Sequence, residues 1–222
     1  HFGVEVEVSE DFTRFKVAPG DYVGRNYTVE ADASTATYFA ALAAVTRGKV
    51  SMTNLGHNTR QPDYRFLEIL EQLGCTVQRS DTRTTVSMQH KLQGNFTFDM
   101  KPLSDATLTL AAIAPFADGP ITARNVAHIR HHESDRIAAM CASLRKLGIE
   151  VEEHEDGLTV YPGRPEFAVL DTYEDHRVAM SLAVLGVAGS GVELNDPGCV
   201  SKTCPTFFDE IAAMGIGVSQ RG

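Results

Sequence analysis

An α/β domain built as a threefold βαβαββ repeat is the fold this sequence predicts, and two sets of recurring landmarks predict it. An aspartate opens an alanine- or leucine-rich run three times, at Asp32, Asp105 and Asp175, with spacings of 73 and 70 residues. A Leu-Gly or Met-Gly pair closes a second amphipathic run three times. Its glycines, Gly74, Gly148 and Gly215, lie 42, 43 and 40 residues beyond those aspartates. Gly48, Gly119 and Gly191 each begin a strand-like segment in between. Self-similarity at a fixed period marks a repeat architecture. Here each unit holds two helices and several strands, so closure into one compact domain is expected rather than an open array. The repeats are read as residues 27–93, 94–165 and 166–222.

The chain opens with two alternating runs, Val4 to Val8 and Phe15 to Val17, followed by the turn signal Pro19-Gly20-Asp21, which together predict a hairpin. Tyr27 to Glu30 alternates as a third short strand. Asp32-Ala33-Ser34 is an N-cap cluster, and the apolar run Ala36 to Val45 behind it is a buried helix ended by Gly48. Val50 to Asn54 reads as a strand. Asp63 starts a helix with Phe66, Leu67, Leu70 and Leu73 on one face, and Cys75 to Arg79 and Thr84 to Met88 follow as a strand pair. The second repeat closes on a matching hairpin, Ile149 to Val160, whereas after the strand-like Ile216-Gly217-Val218 the third simply stops. With no initiating Met and a strand at its start, the chain reads as cut mid-structure. Residues 1–26 are then a remnant hairpin and linker, and 27–222 the domain proper.

Composition excludes several classes. A net charge of −9, from 20 basic and 29 acidic residues, argues against non-specific nucleic-acid binding. No apolar run approaches the roughly 20 residues a spanning helix needs, so no membrane association is expected. Cys75, Cys141, Cys199 and Cys204 show no CxxC spacing. Reduced thiols and a cytoplasmic location are therefore expected, not a disulfide frame or a zinc site.

The chemistry-bearing residues gather at predicted helix starts. Ala127 to Arg136 contains His128, Arg130, His131, His132, Glu133, Ser134, Asp135 and Arg136, and leads into the amphipathic pattern Ile137, Met140, Cys141, Leu144. Backbone N–H groups at a helix start are unpaired and partly positive, so Arg130, Arg136 and the histidines would make an anion seat around Glu133. Asp175-His176-Arg177 and Ser201-Lys202-Thr203 occupy comparable places in the third repeat. If the helices lie parallel, Arg136, Arg177 and Lys202 converge on one pole of the domain. Plainer readings exist for each: Asp105 as a simple N-cap, His176 as a core imidazole, Lys202 as a solvated loop lysine. Convergence from separate repeats favours the anion site.

Asp175-His176-Arg177 with Ala179-Met180, Glu133-Ser134-Asp135-Arg136, Ser201-Lys202-Thr203 before Pro205, and Glu30-Ala31-Asp32-Ala33-Ser34 resemble the bacterial 3-phosphoshikimate 1-carboxyvinyltransferases, the EPSP synthases. The resemblance runs through nearly the whole chain but covers only about the C-terminal half of such an enzyme. It implies an enolpyruvyl transferase-like fold. The reaction implied moves the enolpyruvyl group of phosphoenolpyruvate to the 5-hydroxyl of shikimate 3-phosphate, releasing phosphate. Glu133 is then the acid that protonates the methylene carbon, and Asp105 the base that takes the hydroxyl proton. Arg136, Arg177 and Lys202 hold the phosphate and carboxylate of phosphoenolpyruvate, with His176 lining the same pocket.

Two positions depart from the family pattern. His132 stands where members commonly carry Lys, and His128 where some place an Asn facing the shikimate ligand. His132 is expected to supply a pH-dependent positive charge in place of that lysine. No metal and no cofactor are implied. The expected partners are the two substrates and the absent N-terminal domain. Residues 1–18 would either fill the open edge of the third repeat or pair with another copy in a strand-exchanged dimer, and would otherwise be mobile. Competing readings are a non-catalytic anion-binding module, a UDP-N-acetylglucosamine enolpyruvyl transferase, or an RNA 3′-phosphate cyclase.

Overall fold

Local chemistry accounts for most of the elements in the computed structural model, which describes residues 2–220. The chain divides into a small unit ending at Glu30 and a larger one beginning at Ala31. In the small unit β1 (Val6–Val8) pairs antiparallel with β2 (Phe15–Val17), in the register Val6↔Val17, Glu7↔Lys16, Val8↔Phe15. Asp11 and Ser9 close the turn by accepting and exchanging hydrogen bonds with Thr13 and Arg14. Phe2, Val6, Val8, Phe12, Phe15, Val17, Tyr22 and Val23 are all exposed. Residues 27–30, whose alternation predicts a strand, form none. The backbone hydrogen bond that meets the end of the next strand comes one residue later, from Ala31 N–H to the Asn54 carbonyl at 2.8 Å.

The larger unit is mixed α/β. Helix α1 (Ala33–Thr46) leads into β3 (Lys49–Thr53), and α2 (Phe66–Gln72) into the hairpin β4 (Thr76–Arg79) and β5 (Arg83–Ser87). These strands form an antiparallel sheet in the order β3-β5-β4. Next come β6 (Phe96–Asp99), α3 (Thr107–Ile113), β7 (Ile121–Arg124), α4 (Arg136–Lys146), β8 (Val151–His154) and β9 (Gly157–Val160). Their sheet runs β6-β7-β9-β8, with β6 and β7 parallel and the rest antiparallel. Last, β10 (Ala168–Asp171) and β11 (Val192–Asn195) pair in parallel around α5 (His176–Ala188), and α6 (Phe207–Ala213) follows. Residues 214–220, which include the expected strand at 216–218, form no strand. The hairpin partner that stabilises β4 and β8 has no counterpart there among the described residues.

Gly74, Gly148 and Gly215 follow the ends of α2, α4 and α6 with φ of 100°, 75° and 87°. That left-handed backbone carries no steric cost only in glycine, which is why the landmark repeats. Helices α1, α3 and α5 form the centre, and every α5 residue from Val178 to Gly186 is buried. Their starts meet, since Thr37 and Thr109 hydroxyls lie 3.2 Å apart and Arg177, at the start of α5, is 2.9 Å from Asp105 just ahead of α3. Their ends meet as well, since Ala44, Phe116 and Ala188 line one crevice of about 480 Å³ at the far pole. Meeting at both ends makes the three helices parallel, and this delivers their N-termini to one place.

Candidate functional site

The three aspartate landmarks have different local roles. Asp32 caps α1 by accepting the N–H groups of Ser34 (3.3 Å) and Thr35 (2.9 Å). Asp175 caps α5 through the N–H of Arg177 at 2.9 Å. Asp105, read in sequence as opening α3, caps nothing. It sits in a 3₁₀ turn, Lys101–Ala106, ahead of Thr107, where Pro102 and a kink at Leu103 precede the α-helix proper. Its carboxylate faces outward and bridges two arginines, 2.9 Å from Arg136 Nη1 and 2.9 Å from Arg177 Nη2.

Arg136 is the hub. It opens α4 behind the Asp135 cap, and its side chain is 4% exposed. Its Nε donates to Asp175 Oδ2 at 2.8 Å and its Nη1 to Asp105 Oδ1. Its Nη1 also donates to His132 Nδ1 at 3.0 Å, and Nη2 lies 3.9 Å from Glu133. Asp175 is wholly buried and also accepts from the Ser134 hydroxyl at 3.0 Å. Burial alone would raise the Asp175 pKa, but Arg136, the Arg177 N–H and Ser134 together hold it below the usual carboxylate range.

Glu133 lies between Lys202 and His176, both expected at the same pocket. Lys202 Nζ contacts one carboxylate oxygen, and His176 Nδ1 is 2.9 Å from the other. The His176 contact is close but misaligned, because neither ring nitrogen completes a hydrogen bond. Burial pushes the Glu133 pKa up, yet Lys202 and His176 more than offset it, so the group is held ionised. His176 is itself lowered, chiefly by burial. The structure therefore brings Asp105, Glu133, Arg136, His176, Arg177 and Lys202 together, with Lys202 and Glu133 in contact across 69 residues of sequence.

Other expectations need correction. Arg130 does not join the anion seat. It is tied to Asp135 and Glu153, each at 2.9 Å, and to the carbonyls of His154 and Glu155, so it fastens the α4 start to β8. His132 is placed against Arg136, where a positive charge is disfavoured. Its Nδ1 must be unprotonated to accept from Arg136, and partial burial followed by the Arg136 charge lowers its pKa. His128 stacks edge-on against it, with ring centroids 5.6 Å apart.

Three residues of the site were missed in sequence. Asp63 is buried and accepts a hydrogen bond from the Ser34 hydroxyl, and burial raises its pKa, with Asp105 adding to the effect. Tyr38 is fully buried near Arg177. A tyrosine inside an otherwise apolar helical run was the one available signal for Tyr38. Asp63 and Ser34 looked like ordinary helix-start residues. Glu133, Asp175 and His176 are also spaced closely enough to hold a metal ion. However, Arg136 and Lys202 already place positive charge on both carboxylates, an arrangement that repels a cation.

Fold and site together define a mixed α/β protein that concentrates paired arginines, a lysine and carboxylates at one helix pole. The family model for EPSP synthase (3-phosphoshikimate 1-carboxyvinyltransferase) matches residues 1–211. A protein of Halalkalibacterium halodurans named 3-phosphoshikimate 1-carboxyvinyltransferase 2 is 51% identical over 98% of this chain and 49% of its own length. The 3-phosphoshikimate 1-carboxyvinyltransferase of Nostoc punctiforme is 47% identical over 96% and 50%. The solved EPSP synthase of Acinetobacter baumannii superposes with a TM-score of 0.84 at 28% identity, covering 99% of this chain and 54% of that one. The chain belongs to the EPSP synthase family, and it spans about half the length of the relatives it matches.

Proposed function

We propose that this chain is the C-terminal half of an enzyme that transfers the enolpyruvyl group of phosphoenolpyruvate to the 5-hydroxyl of shikimate 3-phosphate, releasing phosphate. The observation that carries this reading is the charge arrangement at the helix pole. Three cations are neutralised by three carboxylates: Arg136 by Asp175 and Asp105, Arg177 by Asp105, and Lys202 by Glu133. An anionic substrate at this pole competes with those carboxylates for the cations. In this reading, when Lys202 moves to the phosphoenolpyruvate anion, Glu133 loses its main stabilising partner and gains a negative neighbour. Both changes raise its pKa and make it an acid. Asp105, given up by Arg177, is freed as the base for the hydroxyl proton. His176 offers unpaired ring nitrogens to the same ligand. His132 and His128 stand on the shikimate 3-phosphate side.

The reading extends to architecture. Residues 27–93, 94–165 and 166–222 are three variants of one βαβαββ unit, complete only in the second, since the first lacks its opening strand and the third its closing hairpin among the described residues; residues 1–26 belong with the other half of the enzyme, a cytoplasmic protein. The apolar side chains exposed on residues 2–23 are then a surface for strands of that half. In its absence, a second copy could cover them in a strand-exchanged dimer. Among the described residues no helix is long and apolar enough to cross a membrane.

Phosphate release with both substrates tests the function. The 222-residue chain alone should give no turnover, and adding a separately produced N-terminal half should restore it. Full turnover by the chain alone, or none after complementation, would overturn the reading.

A further inference from the structure

The crevice of about 480 Å³ at the C-terminal ends of α1, α3 and α5 collects charge of a single sign. Its volume falls in the range of small-molecule sites, roughly 300–1,000 Å³. Much of the wall is apolar: Val45 comes from the last turn of α1, Leu92 and Pro115 are buried, Phe116 is half-buried and Pro162 exposed. The titratable residues that line it are all basic, namely Arg47, His90 and Lys91. All three are exposed, and none has an ion-pair partner among the described residues. Asp118, whose N–H bonds the Leu92 carbonyl, commits its carboxylate to the Gly94 N–H at 2.6 Å and does not line the crevice. In a chain of net charge −9, unpaired cations gathered in one concavity are a local exception.

Helix dipoles explain only part of this. Carbonyls at a helix C-terminus are partly negative and favour a nearby cation. That accounts for Arg47, which follows α1, but His90 and Lys91 come from the loop between β5 and β6. Some end carbonyls are already satisfied, Ala43 by the Arg47 and Gly48 N–H groups and Pro115 by the Gly163 N–H. Arg47 carries a further mark. Its backbone is left-handed, with φ 55° and ψ 37°, the conformation that glycine supplies at the ends of α2, α4 and α6. A side chain there strains the backbone, and the strain points to a use for the guanidinium beyond the turn.

We propose that this crevice binds a small organic anion built on a planar ring, with its carboxylate or phosphate held by Arg47 and Lys91 and its ring against Leu92, Phe116 and Pro162. The planar fork of Arg47 matches two oxygens of either head group, and Lys91 adds a point charge. His90 brings a ring N–H to the same rim. An apolar wall with a few convergent polar groups is the usual make-up of such a site. The site lies at the opposite helix ends from Arg136 and Arg177, and it does not rest on the reaction proposed for them.

The test titrates the ¹⁵N-labelled 222-residue chain with benzoate, phenyl phosphate, neutral benzamide and inorganic phosphate, following the amides of Val45, Lys91 and Phe116. At least one of the two ring anions should shift these amides and saturate at millimolar concentration or below, and the one that does identifies the head group. Benzamide lacks the charge and inorganic phosphate lacks the ring, so each should bind about tenfold or more weakly. In Arg47→Gln/Lys91→Gln, which alters only exposed side chains, crevice affinity should also fall about tenfold or more. Any shifts at the α4 and α5 starts should stay as in wild type. Absence of saturable shifts at the crevice would overturn the proposal, as would binding confined to the charges around Arg136. So would benzamide or inorganic phosphate binding as tightly as the ring anions, or crevice binding that survives the double variant. No turnover is read, so failed complementation would sink the transferase reading and leave this result standing.

Discussion

The starts of α1 and α5 carry the same landmark and use it differently. At α1, Asp32 is exposed and its carboxylate is spent on its own helix, on the N–H groups of Ser34 and Thr35 and the Thr35 hydroxyl. Gln61 takes the remaining Ala33 N–H at 2.8 Å. That helix start is closed. At α5, Asp175 caps with one oxygen and reaches out of its repeat to Arg136 and Ser134 with the other. Being wholly buried, it has no water to fall back on. A cap that serves only its helix can be lost cheaply, whereas one that neutralises a buried arginine cannot.

The sharpest way to break this comparison is to remove both caps. Asp175→Asn should cost about 3–5 kcal/mol, because it leaves Arg136 as a poorly compensated buried charge. Urea unfolding would measure it, and a cost equal to that of an exposed cap would show that the two helix starts are equivalent after all. The pH dependence has a definite sign. Asp175 titrates below its unfolded value, so its stabilisation is complete above about pH 4, the range of an unfolded aspartate. It is lost as pH falls through the lower folded value. Wild type should lose stability in that acid window faster than Asp175→Asn.

A second prediction follows the network from Asp175 through Arg136 to Glu133. In the complemented enzyme, Glu133→Gln should slow turnover by about 10²–10⁴, the range for one general acid or base, with little change in melting temperature. Normal turnover would remove Glu133 from the chemistry and leave it a counter-ion of Lys202. At the closed helix start, Asp32→Ala should cost about 1 kcal/mol of stability in the same urea assay. A much larger loss would mean that α1 is tied to the site as tightly as α5.

The smallest effect concerns His132. Its pKa should lie below the ordinary value of about 6.5, as followed by its ring proton shifts. Folding therefore opposes its protonation, and its neutral form should dominate from there upward. Arg136→Lys, which withdraws one neighbouring donor, would test whether the arginine sets that value. A His132 pKa above the ordinary one would restore the reading of His132 as a lysine substitute.

The helices, glycine-terminated ends and hairpins were legible from sequence because they depend on neighbours a few residues away. Asp32 and Asp175 cap the helices they precede, and Gly74, Gly148 and Gly215 end the helices their recurrence marked, each in a left-handed turn. Glu133, Arg136, Arg177 and Lys202 were legible as well, because charged residues at three helix starts converge if the helices are parallel. Misreadings arose where a residue's partner was remote. Arg130 and Arg136 lie six positions apart in one basic stretch, yet Arg130 joins Glu153 on β8 and Arg136 joins Asp175 across 39 residues. Pattern alone could not separate them. Nor could it show that His132 would accept from Arg136, or that Asp63 and Tyr38 would stand behind Arg177. By itself the sequence determined most of the elements, though not the absence of strands at 27–30 and 216–218, together with the pole at which charges gather and the residue types available there. Only the tertiary structure decided which carboxylate neutralises which cation, because an ion pair depends on distances of a few ångströms between chain segments whose approach no local pattern encodes.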